Sequence, residues 1–270
     1  QQTQAAALFQ KFGAVAAEST FPALVYGAFS GMALTVFNLV PSVTNMFGKS
    51  VLPCAAQSWA KGQKEAVQKQ LQSVLFLTAL IALPAAGGLF CLSDSILTLL
   101  YPGQETACRI AAESLRSLLP GMVFLCFTMP LFSILQGIGR ADLPVKYMLP
   151  CVAVKLLGNL LFLQIPACSL LGAGLSTSLC YALLFGMTLF SLCRMLGMSL
   201  RGLKPILPLC YAATMSITTA YLFRNLTRTM PLPVMLLCSV GSAVVMYGVV
   251  LLLLEKTANR LREGLCFRMV

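Results

Sequence analysis

The sequence predicts an all-α integral membrane protein with seven membrane-spanning helices. Of its 270 residues, 58% are hydrophobic and only 10% are charged, whereas soluble domains average about 45–50% and about 25%. Mean hydropathy is +0.85. The apolar residues also fall into seven long segments, each close to the roughly 20 residues that a helix needs to cross a hydrocarbon core of about 30 Å.

The predicted spans follow one another with short connections. Pro166 interrupts the weakest boundary, between the fourth and fifth spans, and is expected to end the fourth helix. The spans are residues 23–47, 72–92, 117–136, 147–165, 169–191, 205–223 and 232–254.

Two connections are long enough to carry structure of their own. Residues 53–71 set three lysines among Ala, Val and Leu, which predicts an amphipathic helix at the membrane surface. In residues 94–116, Asp94 is expected to cap a short helix over 96–100, and Pro102-Gly103 then predicts a turn.

Composition excludes several functional classes. The chain has no His, so histidine metal sites and Ser-His or Cys-His nucleophile pairs are absent. The 11 cysteines contain no CxxC and are expected to be reduced, inert thiols. The sequence therefore predicts no enzyme, no metal and no cofactor. A net charge of +11 could suggest nucleic-acid binding, but the basic residues sit singly between apolar runs, which excludes a basic stripe.

Basic residues also predict the orientation. With the N-terminus outside, 13 of the 19 Lys and Arg residues fall in inner connections and five in outer ones, and the remaining one is Lys155. Because basic residues accumulate on the inner side, we expect the N-terminus outside and the C-terminus in the cytoplasm of a multi-pass cell-membrane protein. The chain opens Gln1-Gln2-Thr3 without a signal segment, so we expect it to be the C-terminal part of a longer protein.

Lys155 is the charged residue within a predicted span. It lies near the middle of its helix, where a charge costs several kcal/mol, and no Asp or Glu occurs in any of the seven spans. Helical spacing places Cys151, Lys155 and Asn159 on one face. We expect that face to border a wet cavity; the alternative is a lysine that extends to the inner interface.

The first span carries a second polar face. Asn38, Asn45 and Lys49 lie on one side of the helix with Ser42 between them, and Pro41 interrupts the backbone hydrogen bonds. One interpretation is a helix that lines a cavity. The other is a helix–helix contact in which the Asn amides bond to neighbours.

Several short motifs follow one another along the chain in a characteristic order and spacing. They are Pro41 to Pro53, IALPAAGGLF at 81–90, ILTLLYPG at 96–103, SILQGIGR at 133–140, VKLLGN at 154–159, and Ile165-Pro166 with LGAGLST at 171–177. Together these motifs resemble the MOP flippase superfamily, and most closely its polysaccharide-transporter branch, the group of stage V sporulation protein B-like proteins.

The resemblance implies about fourteen spans in two six-helix lobes plus a C-terminal pair. This chain would be a seven-helix bundle that corresponds to the second lobe, without its first helix, plus the pair. The implied division is an outer-side segment at 1–22, five lobe spans at 23–192, the helix pair at 193–254 and a cytoplasmic tail at 255–270.

The implied function is alternating-access export of a lipid-linked oligosaccharide for cell-envelope or spore-cortex synthesis. The partners would be the anionic lipid-linked sugar, membrane lipids and the missing N-terminal lobe, with no nucleic acid. We interpret five residues as cavity candidates: Lys155 and Lys49 as cations for phosphate oxygens, and Asn159, Asn38 and Asn45 as hydrogen-bond donors.

Three alternatives stay open. A multidrug or cation antiporter of the same superfamily would usually need an intramembrane acid, which the missing lobe would have to supply. A seven-helix receptor shares the predicted topology but fits the short break at 165–169 poorly. A non-transporting membrane fragment is the third.

Overall fold

The computed structural model describes residues 21–163, 169–198, 206–226 and 231–266, which form seven helices and no strand. The first helix, α1, covers residues 21–60 in three contiguous parts: Phe21–Gly27, a π-helical segment Ala28–Ala33, and Leu34–Ala60. The others are α2 (Lys64–Leu100), α3 (Glu105–Gly137), α4 (Asp142–Leu163), α5 (Ser169–Leu196), α6 (Ile206–Leu226) and α7 (Leu232–Cys266).

These helices confirm the predicted all-α membrane fold. Within the described residues, all of them except α6 are long and apolar enough to cross a membrane. Helix α6, which has 21 residues, occupies the position of the predicted sixth span and pairs with α7.

Helix α3 is the centre of the bundle. It packs against α1, α2 and α5, and 72% of its most apolar stretch is buried inside the protein. Small and medium side chains allow several helices to approach it closely, among them Ala111, Ala112 and Leu115, all fully buried. The remaining helices are arranged around this core.

Helix α4 and the α6–α7 pair lie at the periphery. Helix α4 packs mainly against α5, and only 11% of its apolar stretch is buried. The α6–α7 pair packs against α2, where Gly87 lies against Ile217. The exposed faces of these helices are apolar, as expected for surfaces that contact lipid.

Two predicted connections are wrong in detail because helices continue beyond the apolar segments. Residues 53–71 do not form a separate surface helix: α1 runs to Ala60 and α2 begins at Lys64. They are joined by a turn that contains Gly62 at φ +72°, a left-handed conformation that favours glycine. Asp94 is not a helix cap, because α2 continues unbroken to Leu100.

The remaining predictions concern turns, helix ends and the two termini. The turn at Pro102-Gly103 is confirmed, with Gly103 at φ +83°. The π-helical segment was not predicted. Helix α7 continues to Cys266, through much of the predicted tail at 255–270. The break around Pro166 and nearly all of the segment 1–22 lie outside the described residues.

Candidate functional site

The predicted polar face of α4 packs against α5. Cys151 is buried and forms a small apolar cluster with Cys180 and Leu184 of α5. Eight residues along α4, Asn159 Oδ1 accepts a hydrogen bond from Ser176 Oγ. The face that helical spacing defines on α4 is therefore in contact with the neighbouring helix at both of its ends.

Gly158 allows this close approach. A Cβ atom added at Gly158 would lie 2.8 Å from Ser176 Cβ, well inside normal van der Waals contact. Glycine thus lets the two backbones come together beside the Asn159–Ser176 hydrogen bond, as small residues do in membrane helix pairs.

Lys155 lies between these two contacts and is half-buried. Its ammonium group interacts electrostatically with Cys180, and none of the ion pairs in the described part of the chain involves it. The large side chains that α4 exposes nearby are apolar, such as Val152, Leu156 and Leu160. Lys155 therefore belongs to the α5-facing side of a peripheral helix, at its border with the exposed face.

The polar stripe of α1 faces away from the core. Asn38 and Lys49 are exposed and Asn45 is half-buried. Ser42 Oγ is also exposed and donates to the Asn38 carbonyl at 2.7 Å, which keeps the hydroxyl occupied within the helix. Three cavity candidates thus lie along one accessible side of the helix.

The opposite side of α1 explains this orientation. Pro41, Thr44 and Gly48 are buried, and a Cβ atom at Gly48 would lie 2.6 Å from Ser133 Oγ and 3.0 Å from the Pro130 Cα atom of α3. Close packing on α3 thus turns the polar stripe outward.

The structure brings together only part of the predicted site. Lys155 and Asn159 lie at the contact between α4 and α5, which we call the α4–α5 seam. The other candidates, Asn38, Asn45 and Lys49, belong to α1, which packs on α3 and α2. Helices α1 and α5 approach each other where Phe37 and Tyr181 stack with ring centroids 6.3 Å apart. The two groups of candidates are therefore carried by different parts of the bundle.

A polar cleft that was not predicted lies where α2 ends and α3 begins. It has a volume of about 610 Å³ and includes Leu232 at the start of α7. Asp94 forms an ion pair with Arg116 across it, and Arg116 Nε also donates to the Phe90 carbonyl at 3.4 Å. A charge pattern in the sequence indicated this cleft: acidic Asp94 lies near the end of α2, and basic Arg116 lies in the first part of α3, the next helix.

Comparisons with known proteins agree with this architecture. Residues 25–161 match the MatE family. An uncharacterized membrane protein of Methanocaldococcus jannaschii is 25% identical over 157 residues, which cover 58% of this chain and 30% of that protein.

The fold also resembles a solved transporter. The lipid II flippase MurJ in its inward closed conformation superposes with a TM-score of 0.65 at 16% sequence identity, over 95% of this chain and 51% of MurJ. At this identity the likeness concerns the fold alone. The chain spans about half the length of MurJ and less than a third of the archaeal protein.

Proposed function

The chain belongs to the MatE family, a family of membrane transporters within the MOP superfamily, and from this premise we propose that it is the second half of a two-lobe flippase. The proposed substrate is a lipid-linked oligosaccharide or polysaccharide precursor with an anionic head group. The observation that carries the proposal is the polar stripe of α1. It holds Lys49 and two Asn amides on the accessible side of a membrane helix, away from the packed core.

The chemistry of the stripe suits a diphosphate-linked sugar. An ammonium group forms charge-assisted hydrogen bonds with phosphate oxygens, and the Asn amides supply neutral donors to phosphate or sugar oxygens. We assign Lys49, Asn38 and Asn45 to the cavity wall, with Lys155 and Asn159 on a second wall. A second lobe that faces α1 would enclose the space between the walls.

Alternating access then follows from the two-lobe arrangement. Transporters of this type rock two bundles around a central site, and the present chain would supply one bundle. Its N-terminus would lie outside and its C-terminus inside, in agreement with the distribution of Lys and Arg. Transport would therefore require the full-length protein, because the chain alone would supply only the two walls that carry Lys49 and Lys155.

The position of Lys155 bears directly on this proposal. A lysine directed at acyl tails from a peripheral helix would exclude a cavity role. Helix α4 is indeed peripheral, but Lys155 shares the α5-facing side with buried Cys151 and half-buried Asn159. This placement is compatible with a lysine that reaches the cavity along the seam.

The test is a flipping assay with the full-length protein in liposomes, which measures how fast a fluorescent lipid-linked oligosaccharide becomes accessible on the opposite leaflet. We expect Lys155→Gln to slow flipping about 10- to 100-fold, the loss of one charge-assisted hydrogen bond. Lys155→Arg should retain most of the activity because it keeps the charge.

Lys146→Gln is the matched control on the same helix, since Lys146 is exposed and pairs with Asp142 at 3.0 Å. Its flipping rate should equal that of the wild type. A wild-type rate in Lys155→Gln would remove Lys155 from the mechanism. Transport of a hydrophobic cation without flipping would instead favour the antiporter alternative.

A further inference from the structure

Two buried thiols face each other across the α4–α5 seam. Cys151 and Cys180 are 1% and 6% exposed and belong to one cluster of buried side chains together with Leu184. Two other buried thiols interact with backbone carbonyls, Cys91 with that of Ile217 and Cys108 with that of Leu97. Cys151 and Cys180 instead lie on neighbouring helices and share one buried cluster.

The surrounding contacts hold the two thiols in register. Helices α4 and α5 run antiparallel. Asn159 of α4 therefore pairs with Ser176 of α5, and Cys151, earlier on α4, lies beside Cys180 and Leu184, later on α5. The approach at Gly158 keeps the backbones close, and a disulfide requires Cα atoms within about 7 Å.

The same region supplies a cation and a way in for a reagent. Lys155 lies one helical turn from Cys151 on the α5-facing side of α4. An ammonium group close to a thiol provides a counter-charge for the thiolate, the form that reacts with oxidants. Helix α4 packs mainly on α5 and is the least buried of the apolar helices. It should therefore separate from its neighbour more readily than the central helices do.

We propose that Cys151 and Cys180 are an oxidisable dithiol, in which a two-electron oxidant forms a disulfide that fixes α4 on α5. With an azo oxidant such as diamide, the Cys180 thiolate adds to the N=N bond. The Cys151 sulfur then attacks the Cys180 sulfur and the S–N bond breaks. The electron pair and both thiol protons are transferred to the hydrazine product, so the S–S bond is the only bond gained by the protein.

This inference goes beyond the proposed function and does not depend on it, because both thiols and the seam belong to this chain. It also changes the expectation that all 11 cysteines are inert.

The experiment treats the full 270-residue chain in lipid nanodiscs with diamide, alkylates the remaining thiols after unfolding, and maps linked peptides by mass spectrometry. We expect a peptide that joins Cys151 to Cys180 with a loss of two hydrogens, about 2 Da. Because the link closes a loop in the unfolded chain, the melting temperature should rise by several degrees.

Variants separate this pair from the other thiols. Cys151→Ser and Cys180→Ser should each abolish the linked peptide and the rise in melting temperature. Cys193→Ser, which removes another buried thiol of α5, should preserve both. The wild-type peptide map needs no variant, so the test holds even if a serine variant folds poorly.

Reaction at exposed Cys54 reports that the oxidant is active. If Cys54 is oxidised while Cys151 and Cys180 are both recovered as free thiols, the proposal is wrong. Linkage of either residue to a different cysteine would equally overturn it.

Discussion

Lys155 shows how a single charged residue is accommodated beside lipid. A charge near the bilayer centre costs several kcal/mol unless polar groups surround it, and no carboxylate lies in the predicted spans. Cys180 interacts with its ammonium group, and the Asn159–Ser176 pair follows on the same seam. The lysine is thus tolerated because its helix turns its polar side toward α5, while apolar residues meet the lipid.

Gly174 of α5 lies in very close contact with α3. A Cβ atom at this position would lie 1.8 Å from Ser117 Oγ and 2.9 Å from the Ser117 carbonyl carbon. Gly174→Ala should therefore push α5 away from α3 and lower the free energy of unfolding by about 1–3 kcal/mol. Thermal unfolding in detergent measures the change.

Gly186 is the matched control, because it lies on the same helix with nothing within 4 Å of the added Cβ. Gly186→Ala should be neutral or slightly stabilising, by up to about 1 kcal/mol, since alanine is the better helix former. Equal stability of the two variants would contradict the close packing of α3 and α5.

At the scale of helices, the sequence predicts where the spans lie better than where they end. Apolar segments reveal the membrane-crossing parts because burial in lipid demands them. The helices extend beyond those parts, since adding a residue to an existing helix requires little further ordering. The ends at Ala60 and Leu100 are set by turns at Gly62 and Gly103, and only the second turn was predicted.

The candidate site was predictable only within one helix at a time. Helical spacing places Cys151, Lys155 and Asn159 on one face, and the structure shows this face against α5. The partners Ser176 and Cys180 could not be predicted, because the pairing and register of two helices depend on tertiary packing. The Asp94–Arg116 pair was missed for a different reason, because Asp94 was interpreted as the cap of a short helix and not as a partner for the next helix.

The π-helical segment Ala28–Ala33 is an element with no simple sequence signal. Its Gly31 carbonyl accepts hydrogen bonds from Thr35 Oγ1 at 2.6 Å and from the Tyr101 hydroxyl at 3.4 Å. A π-helical turn holds one residue more than an α-helical turn. The extra residue is therefore compensated by contacts outside the regular helix pattern.

Deleting Ser30 should convert this segment to regular α-helix. The buried residues before and after it should still point toward the core. We expect a loss of no more than about 1–2 kcal/mol, from the altered Gly31 contacts. Deleting Leu39, which is exposed within regular helix, should lower the free energy of unfolding much more. It rotates one part of α1 by about 100° relative to the other and displaces Phe37 or Pro41 from the core.

Melting temperatures of the two deletion variants in the same detergent provide the measurement. If the Ser30 deletion is as damaging as the Leu39 deletion, the segment does not hold a removable extra residue.

At the scale of the whole molecule, the chain consists of a bundle around α3 and a helix pair attached to its side. The α6–α7 pair reaches the bundle mainly through α2. A side chain of α6, Arg224, donates to the Cys91 carbonyl, and the Cys91 thiol interacts with the Ile217 carbonyl. Attachment through one helix predicts that the pair can be loosened without unfolding the bundle.

Two adjacent glycines of α2 allow a sharp test of this attachment. A Cβ atom at Gly87 would lie 2.1 Å from Ile217 Cγ1, whereas nothing lies within 4 Å of one at Gly88. Gly87→Val should therefore force Ile217 aside and weaken the docking of α6. Hydrogen exchange followed by mass spectrometry should show about a tenfold or greater loss of protection in peptides from 206–226, while peptides from α3 keep their protection.

Gly88→Val is the matched control, because it adds the same volume and β-branching at the next position. Its α6 peptides should exchange as in the wild type. Equal loss of protection in both variants would mean that valine disturbs α2 itself, and loss in α3 as well would mean that the pair and the bundle unfold as one unit.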